Sequence, residues 1–350
     1  MSRAEIGSIR IFLAEAIDQK SNEVVGMAAE HFGVSRQTIH KHLAEMVSEG
    51  ILEATGRTSG RTYSLRMLAR NNHRFQISEQ PAEDRVWREC FAGLLSRLPD
   101  NVRQICNYGL TEMFNNATEH SSGATITTGL RRTYLQSRLY VIDDGIGIFK
   151  KIKEGLNLAD EREAVLELAK GKVTTDPTGH SGEGIFFTSR MFDSFSLTAN
   201  GLLFSHVVSK DGSEDDWLIE TRPKAPPGTQ VEMEIASMTA RTTAEVFDRY
   251  TSSAELPSFD KTHVPVKLLL VGEENLVSRS QAKRLLARFA RFREVMLDFD
   301  GVSHIGQAFA DEIFRVYKTQ HPDISIVPLR ANDDVYAMIA WVSSRNEASE

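Results

Sequence analysis

Between residues 112 and 229 the chain carries four short acidic or glycine-bearing pieces in a fixed order, and each demands a particular backbone setting. The first, Glu112-Met-Phe-Asn-Asn116-Ala117-Thr-Glu119-His120, reads as helix. Residues 112 and 116 lie four apart, so a carboxylate and a carboxamide share one helix face, with 119 and 120 close to it. A carboxylate there can take a proton from water, and an amide oxygen is a hard ligand suited to Mg²⁺. The second piece, Val141-Ile-Asp143-Asp144-Gly145-Ile146-Gly147, is an apolar strand running straight into acids and glycines. Asp143 can accept a hydrogen bond from an exocyclic amine, and the glycines allow backbone to approach a flat base. The third, Gly179-His180-Ser181-Gly182-Glu183-Gly184, opens a helix whose N–H groups and positive end suit a polyphosphate. The fourth is Gly228-Thr229, leading into the strand Val231 to Ile235.

Each piece alone is ordinary: Asp-Gly is a common hairpin turn, and Gly-Thr after prolines is turn chemistry. Their coincidence in order, on suitable elements, is what points to one nucleotide pocket. A P-loop is excluded as the alternative, because no Gly-x-x-x-x-Gly-Lys-Ser/Thr occurs.

At 350 residues the chain exceeds one typical domain. A net charge of −7 argues against a protein that coats nucleic acid over its whole surface, so any such contact is local. Two cysteines, Cys90 and Cys106, without metal or disulfide spacing, fit a reducing compartment as small buried residues. The start, Met1 to Arg10, has no signal-peptide core and no apolar run reaches bilayer length, so the expectation is a soluble cytoplasmic protein.

Changes of pattern set the expected organisation. Helices are expected over Ile9 to Gln19, Glu23 to Phe32 and, N-capped by Ser35, up to Glu49, with Gly50 as the stop. A hairpin follows through Ile51 and Leu52, a turn with Gly56 and Gly60, and Tyr63 and Leu65. On the third helix Ile39, Leu43, Met46 and Val47 form the apolar stripe, opposite Arg36, Gln37, Thr38, His40 and Lys41. The polar stretch Arg70 to Asp84 reads as a first linker, and Thr251 to His263 as a second. Between them, Asp84 to Leu98 and Asn101 to His120 read as helices split at Pro99. Thr125 to Arg132 and Arg138 to Ile142 read as strands, and Glu161 to Lys170 and Ile185 to Phe192 as further helices. The last region alternates: strand Val266 to Val271, helix Ser278 to Phe292, strand Val295 to Phe299, helix Gly306 to Thr319, strand Ile324 to Val327, helix Asn332 to Val342. Such alternation implies helices packed on a sheet.

Together the four pieces resemble the N box, two glycine boxes and final Gly-Thr of the GHKL superfamily, with the closest spelling among the anti-sigma-factor serine kinases. The resemblance implies a Bergerat-type pocket for ATP and Mg²⁺ in which Asn116 ligates the metal and Asp143 recognises the adenine amine. It further implies that Gly145 and Gly147 line the base, Gly179, Gly182 and Gly184 cradle phosphates, Thr229 supports the adenine and Glu112 is the general base. A mobile lid from about Phe149 to Ser181, with Lys172 as a cofactor contact and Thr175, is also implied. The preceding region offers no phospho-acceptor histidine helix, and there is no room for a transducer domain of the topoisomerase or MutL type.

Val34-Ser35-Arg36-Gln37-Thr38-Ile39-His40-Lys41-His42-Leu43 resembles the turn and recognition helix of bacterial winged helix-turn-helix repressors. Arg36, Gln37, Thr38, His40 and Lys41 are then the expected DNA-contacting set, joined by Arg57 and Arg61 of the wing. From Met1 to Arg74 ten basic side chains face eight acidic ones, a mild excess on an acidic protein. His31, His40 and His42 lack ligand partners at metal spacing and are expected on the surface. The stretch around Val295-Met-Leu-Asp298-Phe-Asp300-Gly301-Val302 resembles STAS-like domains. There the helix start, Ile305 to Asp311, lacks the hydroxyl that anti-sigma antagonists phosphorylate, and Ser303 is a poor substitute, so docking to a protein partner is the role left open.

The expected fold class is therefore a multi-domain α/β chain: a winged helix-turn-helix over 1–69, an α/β-sandwich Bergerat domain over 84–250 and a STAS-like α/β domain over 262–350. The expected function is an ATP-binding, nucleotide-responsive DNA-binding regulator, with a homodimer on a two-fold site. The rivals are a partner-switching serine/threonine kinase and a DNA-stimulated ATPase of a mobile-element or defence system.

Overall fold

A computed structural model describes residues 3–20, 23–57, 61–173, 182–209, 211–221, 227–251, 258–270 and 275–347. Helices α1 (Arg3–Asp18), α2 (Val24–Phe32) and α3 (Arg36–Ser48) are followed by a hairpin of β1 (Leu52–Thr55) and β2 (Thr62–Leu65). Local chemistry punctuates them. Ser35 is extended, at ψ 148°, and its Oγ accepts the Thr38 N–H at 3.1 Å, the N-cap expected for α3. Ile9, Leu13, Ala28, Ile39, Leu43 and Met46 close a small core of this unit's own. His42 joins that stripe at 5% exposure, which corrects its expected surface position. It falls one residue before Leu43 and three after Ile39, on the buried side of the helix.

The expected first linker, Arg70 to Asp84, begins as a strand. β3 (Ala69–Gln76) pairs antiparallel with β4 (Thr125–Arg132) over its whole length, from Ala69 opposite Arg132 to Gln76 opposite Thr125. Its sequence lacks the alternation of a half-buried strand, because polar residues sit on both faces. Inward, Asn71 replaces an apolar side chain and satisfies itself, donating from Nδ2 to the Cys90 carbonyl at 2.6 Å and accepting the Leu130 N–H at 2.8 Å.

After β3 come α4 (Glu83–Val86), a π-helical stretch at Trp87–Phe91, α5 (Ala92–Leu95) and the long α6 (Asp100–His120). Beyond β4 follow β5 (Gln136–Asp143), α7 (Ile148–Leu156), α8 (Glu161–Lys170), α9 (Gly184–Met191), β6 (Ser194–Ala199), β7 (Leu202–Val208), β8 (Glu214–Glu220), β9 (Thr229–Ala236) and α10 (Thr243–Arg249). The sheet runs β3-β4-β5-β9-β6-β7-β8, every neighbour antiparallel, with α6 and α9 packed on one face.

The C-terminal unit contains β10 (Lys261–Pro265), α11 (Arg279–Leu286), β11 (Glu294–Asp298), α12 (Gln307–Asp311), a π-helical stretch at Glu312–Tyr317, α13 (Lys318–Gln320), β12 (Ser325–Leu329) and α14 (Asp333–Glu347). Its strands are parallel in the order β10-β11-β12. The first strand thus lies in the expected second linker, and Val266–Leu269, expected to be extended, is a 3₁₀ turn. Val266, Leu268 and Leu269 are apolar because they are buried, and Pro265 ends the ladder just before them. One continuous apolar core runs through the central and C-terminal units, while the N-terminal core is separate. Among the described residues no helix is long and apolar enough to cross a membrane.

Candidate functional site

A cavity lies between α6, the end of β5, the start of α9 and the start of β9. Glu112, Asn116, Asp143, Gly182, Gly184 and Thr229 all line it. The acid and amide come from one face of α6, as their spacing requires. Gly184 opens α9 against that face, and a Cβ there would meet Glu112 Oε2, so the glycine leaves the carboxylate room to stand over the start of the helix.

Asp143 ends β5 almost fully buried. Its Oδ1 accepts the Gly145 N–H at 2.8 Å and the Thr229 N–H at 3.2 Å. Burial pushes this carboxyl up from its ordinary range, and the two N–H bonds work against that rise. Thr229 is held in turn, its Oγ1 accepting the Ile148 N–H at 3.1 Å. Asp144, its neighbour in sequence, has structural work: Oδ1 accepts the Ala124 and Thr125 N–H groups at 2.7 and 2.9 Å, tying the turn after β5 to the start of β4. Hydrogen bonding from Thr125 holds its carboxyl below the usual range. Asn116 differs from all of these, since its Nδ2 is buried and meets no hydrogen-bond partner among the described residues.

Several expected contacts fall elsewhere. Gly145 borders a neighbouring hollow with Ile146 and Asn200 instead of lining the cavity, and Gly147 lines neither. Their service is to the turn: Gly147 sits at φ +86°, and a Cβ on it would land on the Asn200 amide. Lys172 is turned away from the cavity. Its Nζ donates to the Arg291 carbonyl at 3.0 Å and lies 5.3 and 5.0 Å from the Phe259 and Phe292 ring centres. The expected lid also starts too early: α7 and α8 are packed walls, with Phe149, Ile152, Ala164 and Val165 in the core. Their apolar side chains at helical spacing were the available signal. Val173 N–H donates to the Gly182 carbonyl at 3.0 Å. Gly179, Thr175 and Ser181 lie outside the described residues.

The cavity also includes His120, Ser121, Lys151 and Glu183, none of them in the expected set. Lys151 Nζ donates to the His120 carbonyl at 2.5 Å, and the same cavity is lined by three carboxylates, Glu112, Asp143 and Glu183. His120 was legible as a neighbour of the Glu112–Asn116 face. Lys151 was not, because its helix was read as lid. On α3, Arg36, Gln37, His40 and Lys41 are exposed, as are Arg57 and Arg61. Thr38 is half-buried, with its hydroxyl 2.9 Å from Ser35 Oγ, so it is partly committed to the cap.

The wall of the cavity is fastened to the C-terminal unit. Lys170, at 1% exposure, donates from Nζ to Glu167 Oε1 at 2.6 Å and to the Arg284 and Ala287 carbonyls, both at 3.1 Å. Thr262 Oγ1 donates to the Lys170 carbonyl at 2.6 Å, and Arg291 to the Lys172 carbonyl at 2.6 Å.

The chain is thus a mixed α/β protein with an acid-and-amide cavity in its central sheet unit. The family model of the STAS-like domain of unknown function (DUF4325) matches residues 281–336, and the C-terminal unit is STAS-like. No curated protein matches the chain.

Proposed function

We propose that this chain is an ATP-binding, nucleotide-responsive DNA-binding transcriptional regulator. In this reading the central unit is a GHKL-type pocket and the N-terminal unit a winged helix-turn-helix. The observation that carries it is the meeting of Glu112, Asn116, Asp143, Gly182, Gly184 and Thr229 on one cavity, from segments far apart in sequence. Asp143, fixed by two N–H donors, accepts the exocyclic amine of adenine. Gly182 and Gly184 bring the start of α9, with its N–H groups, to the cavity, where they suit phosphate oxygens. The buried Asn116 amide without a partner fits a metal–nucleotide ligand, since turning the amide over offers its oxygen to Mg²⁺. Bound Mg²⁺ supplies charge neutralisation for the phosphates, which three acidic walls otherwise repel.

Coupling to DNA requires that ATP prefer one global state. The bonds from Lys170 and Lys172 to the STAS-like unit offer the route by which the cavity wall and that unit move together. Calorimetry with Mg²⁺ and ATP, ADP or a non-hydrolysable analogue tests the pocket. Operator affinity measured in the apo, ADP and analogue forms tests the response: equal affinity in all three removes the regulatory reading. Glu112 beside Asn116 in the cavity also supports a second reading, a partner-switching serine/threonine kinase that uses Glu112 as base. A labelled phosphoprotein formed from ATP and an antagonist protein would select it.

A further inference from the structure

From Ala54 to Ser78 the sequence holds five arginines, Arg57, Arg61, Arg66, Arg70 and Arg74, and no aspartate or glutamate, in a chain of net charge −7. This segment runs from the hairpin into edge strand β3. On the sheet face away from α6, Arg70 stands opposite Arg131 of β4, and Arg131 opposite Arg138 of β5. All three are exposed, and so is Arg74. With strands about 4.8 Å apart, the three Cα atoms span roughly 10 Å, and Arg74 lies about 13 Å from Arg70 along the same strand.

Like charges directly opposite on a sheet are destabilising. Only Arg138 is relieved, by Glu234 of β9. Among the described residues no carboxylate lies within ion-pair distance of Arg70 or Arg131, so the face is positive at the β3–β4 edge, while Glu232 and Glu234 stand on β9. A cationic row kept without counter-charge, continuous in chain with the hairpin, fits a polyanion that the N-terminal unit already engages.

We infer that Arg70 and Arg131, with Arg74 beside them, form a phosphate-backbone contact for duplex DNA, extending the footprint of the N-terminal unit onto the central sheet. The inference rests on the DNA-binding reading of that unit. Guanidiniums on an open sheet face reach phosphates and no base edges, so this contact adds affinity without sequence preference.

The test uses the full chain and a mixed-sequence duplex of roughly 30 base pairs, about three helical turns, with affinity measured by anisotropy across a salt series. Arg70→Gln with Arg131→Gln is expected to lower the slope of log affinity against log salt by about 1.8, two phosphates at about 0.9 each. Arg70→Lys with Arg131→Lys is expected to restore it, and thermal melts should show both variants as stable as the parent. An unchanged slope in the Gln pair, with Arg36→Gln and Lys41→Gln still weakening binding, overturns this contact alone and assigns the row to another partner, such as an acidic protein. Loss in the Gln pair with no effect at Arg36 and Lys41 supports the row and overturns the reading of α3. No salt-dependent binding by the parent overturns both.

Discussion

A buried amide hydrogen left without an acceptor costs about 1–3 kcal/mol, and Asn116 carries such a group on the cavity wall. Asn116→Ala removes that penalty along with the ligand contact proposed for it. It is therefore expected to leave the ligand-free protein within about 1 kcal/mol of the parent in urea unfolding, while weakening Mg·ATP binding at least tenfold by calorimetry. A large stability loss with unchanged affinity would make the residue structural. Asp298 presents the opposite case. It ends β11 at 1% exposure, and burial pushes its carboxyl up, but hydrogen bonds from His263 Nε2 at 2.9 Å and from Arg330 outweigh that and hold it below the usual carboxylate range. A depressed folded-state pKa gives stability that is complete above the unfolded value, near pH 4, and is lost as pH falls further. Asp298→Asn should accordingly flatten the acid limb of a stability–pH curve below about pH 4, and lower the plateau above it by about 2 kcal/mol.

At the scale of elements, the seam between α8 and the end of α11 is centred on a buried lysine, flanked by the Arg284–Glu163 and Arg288–Glu167 pairs. Lys170→Met keeps the stem but takes the donor from the two carbonyls of Arg284 and Ala287 and leaves Glu167 with Arg288, 3.8 Å away, and removing one partner of a buried pair costs about 3 kcal/mol. Calorimetric melting should show that loss in the central and C-terminal body; a change under 1 kcal/mol, about the value of an exposed pair, would mean the seam is solvated. The elements legible in sequence are those whose burial follows one period. The cap at Ser35, α6, and α8 from Glu161 to Lys170 all lie where the apolar spacing and caps put them. Edge strand β3 was hidden because Asn71 and His73 occupy inward positions where a strand pattern shows apolar residues. The turn after β10 misled in the other direction, its valine and leucines buried without being extended. The cavity was legible where chemistry is local, at Glu112, Asn116, Asp143 and Thr229. Lys151 and Glu183 depend on how α7 and α9 dock, which no local spacing encodes.

Across the whole molecule, two separate apolar cores predict two cooperative bodies: the N-terminal unit, and the central and C-terminal units together. All three tryptophans, Trp87, Trp217 and Trp341, belong to the second body, so their fluorescence is blind to the first, while far-ultraviolet circular dichroism sees the helices of both. Denaturation should therefore give a dichroism curve with a phase that fluorescence lacks. A nucleotide seated in the cavity adds a stricter condition. At a concentration 100 times its dissociation constant it stabilises the body that binds it by about 2.7 kcal/mol. Mg·ATP should shift the fluorescence transition by that amount. If the bodies are uncoupled, the phase seen only by dichroism stays fixed; if ATP alters how the N-terminal unit docks through Tyr134 and Leu135, which pack on its core, that phase moves as well. Fluorescence and dichroism curves that coincide, with or without nucleotide, would show a single cooperative body and remove the physical basis for a mobile DNA-contacting unit.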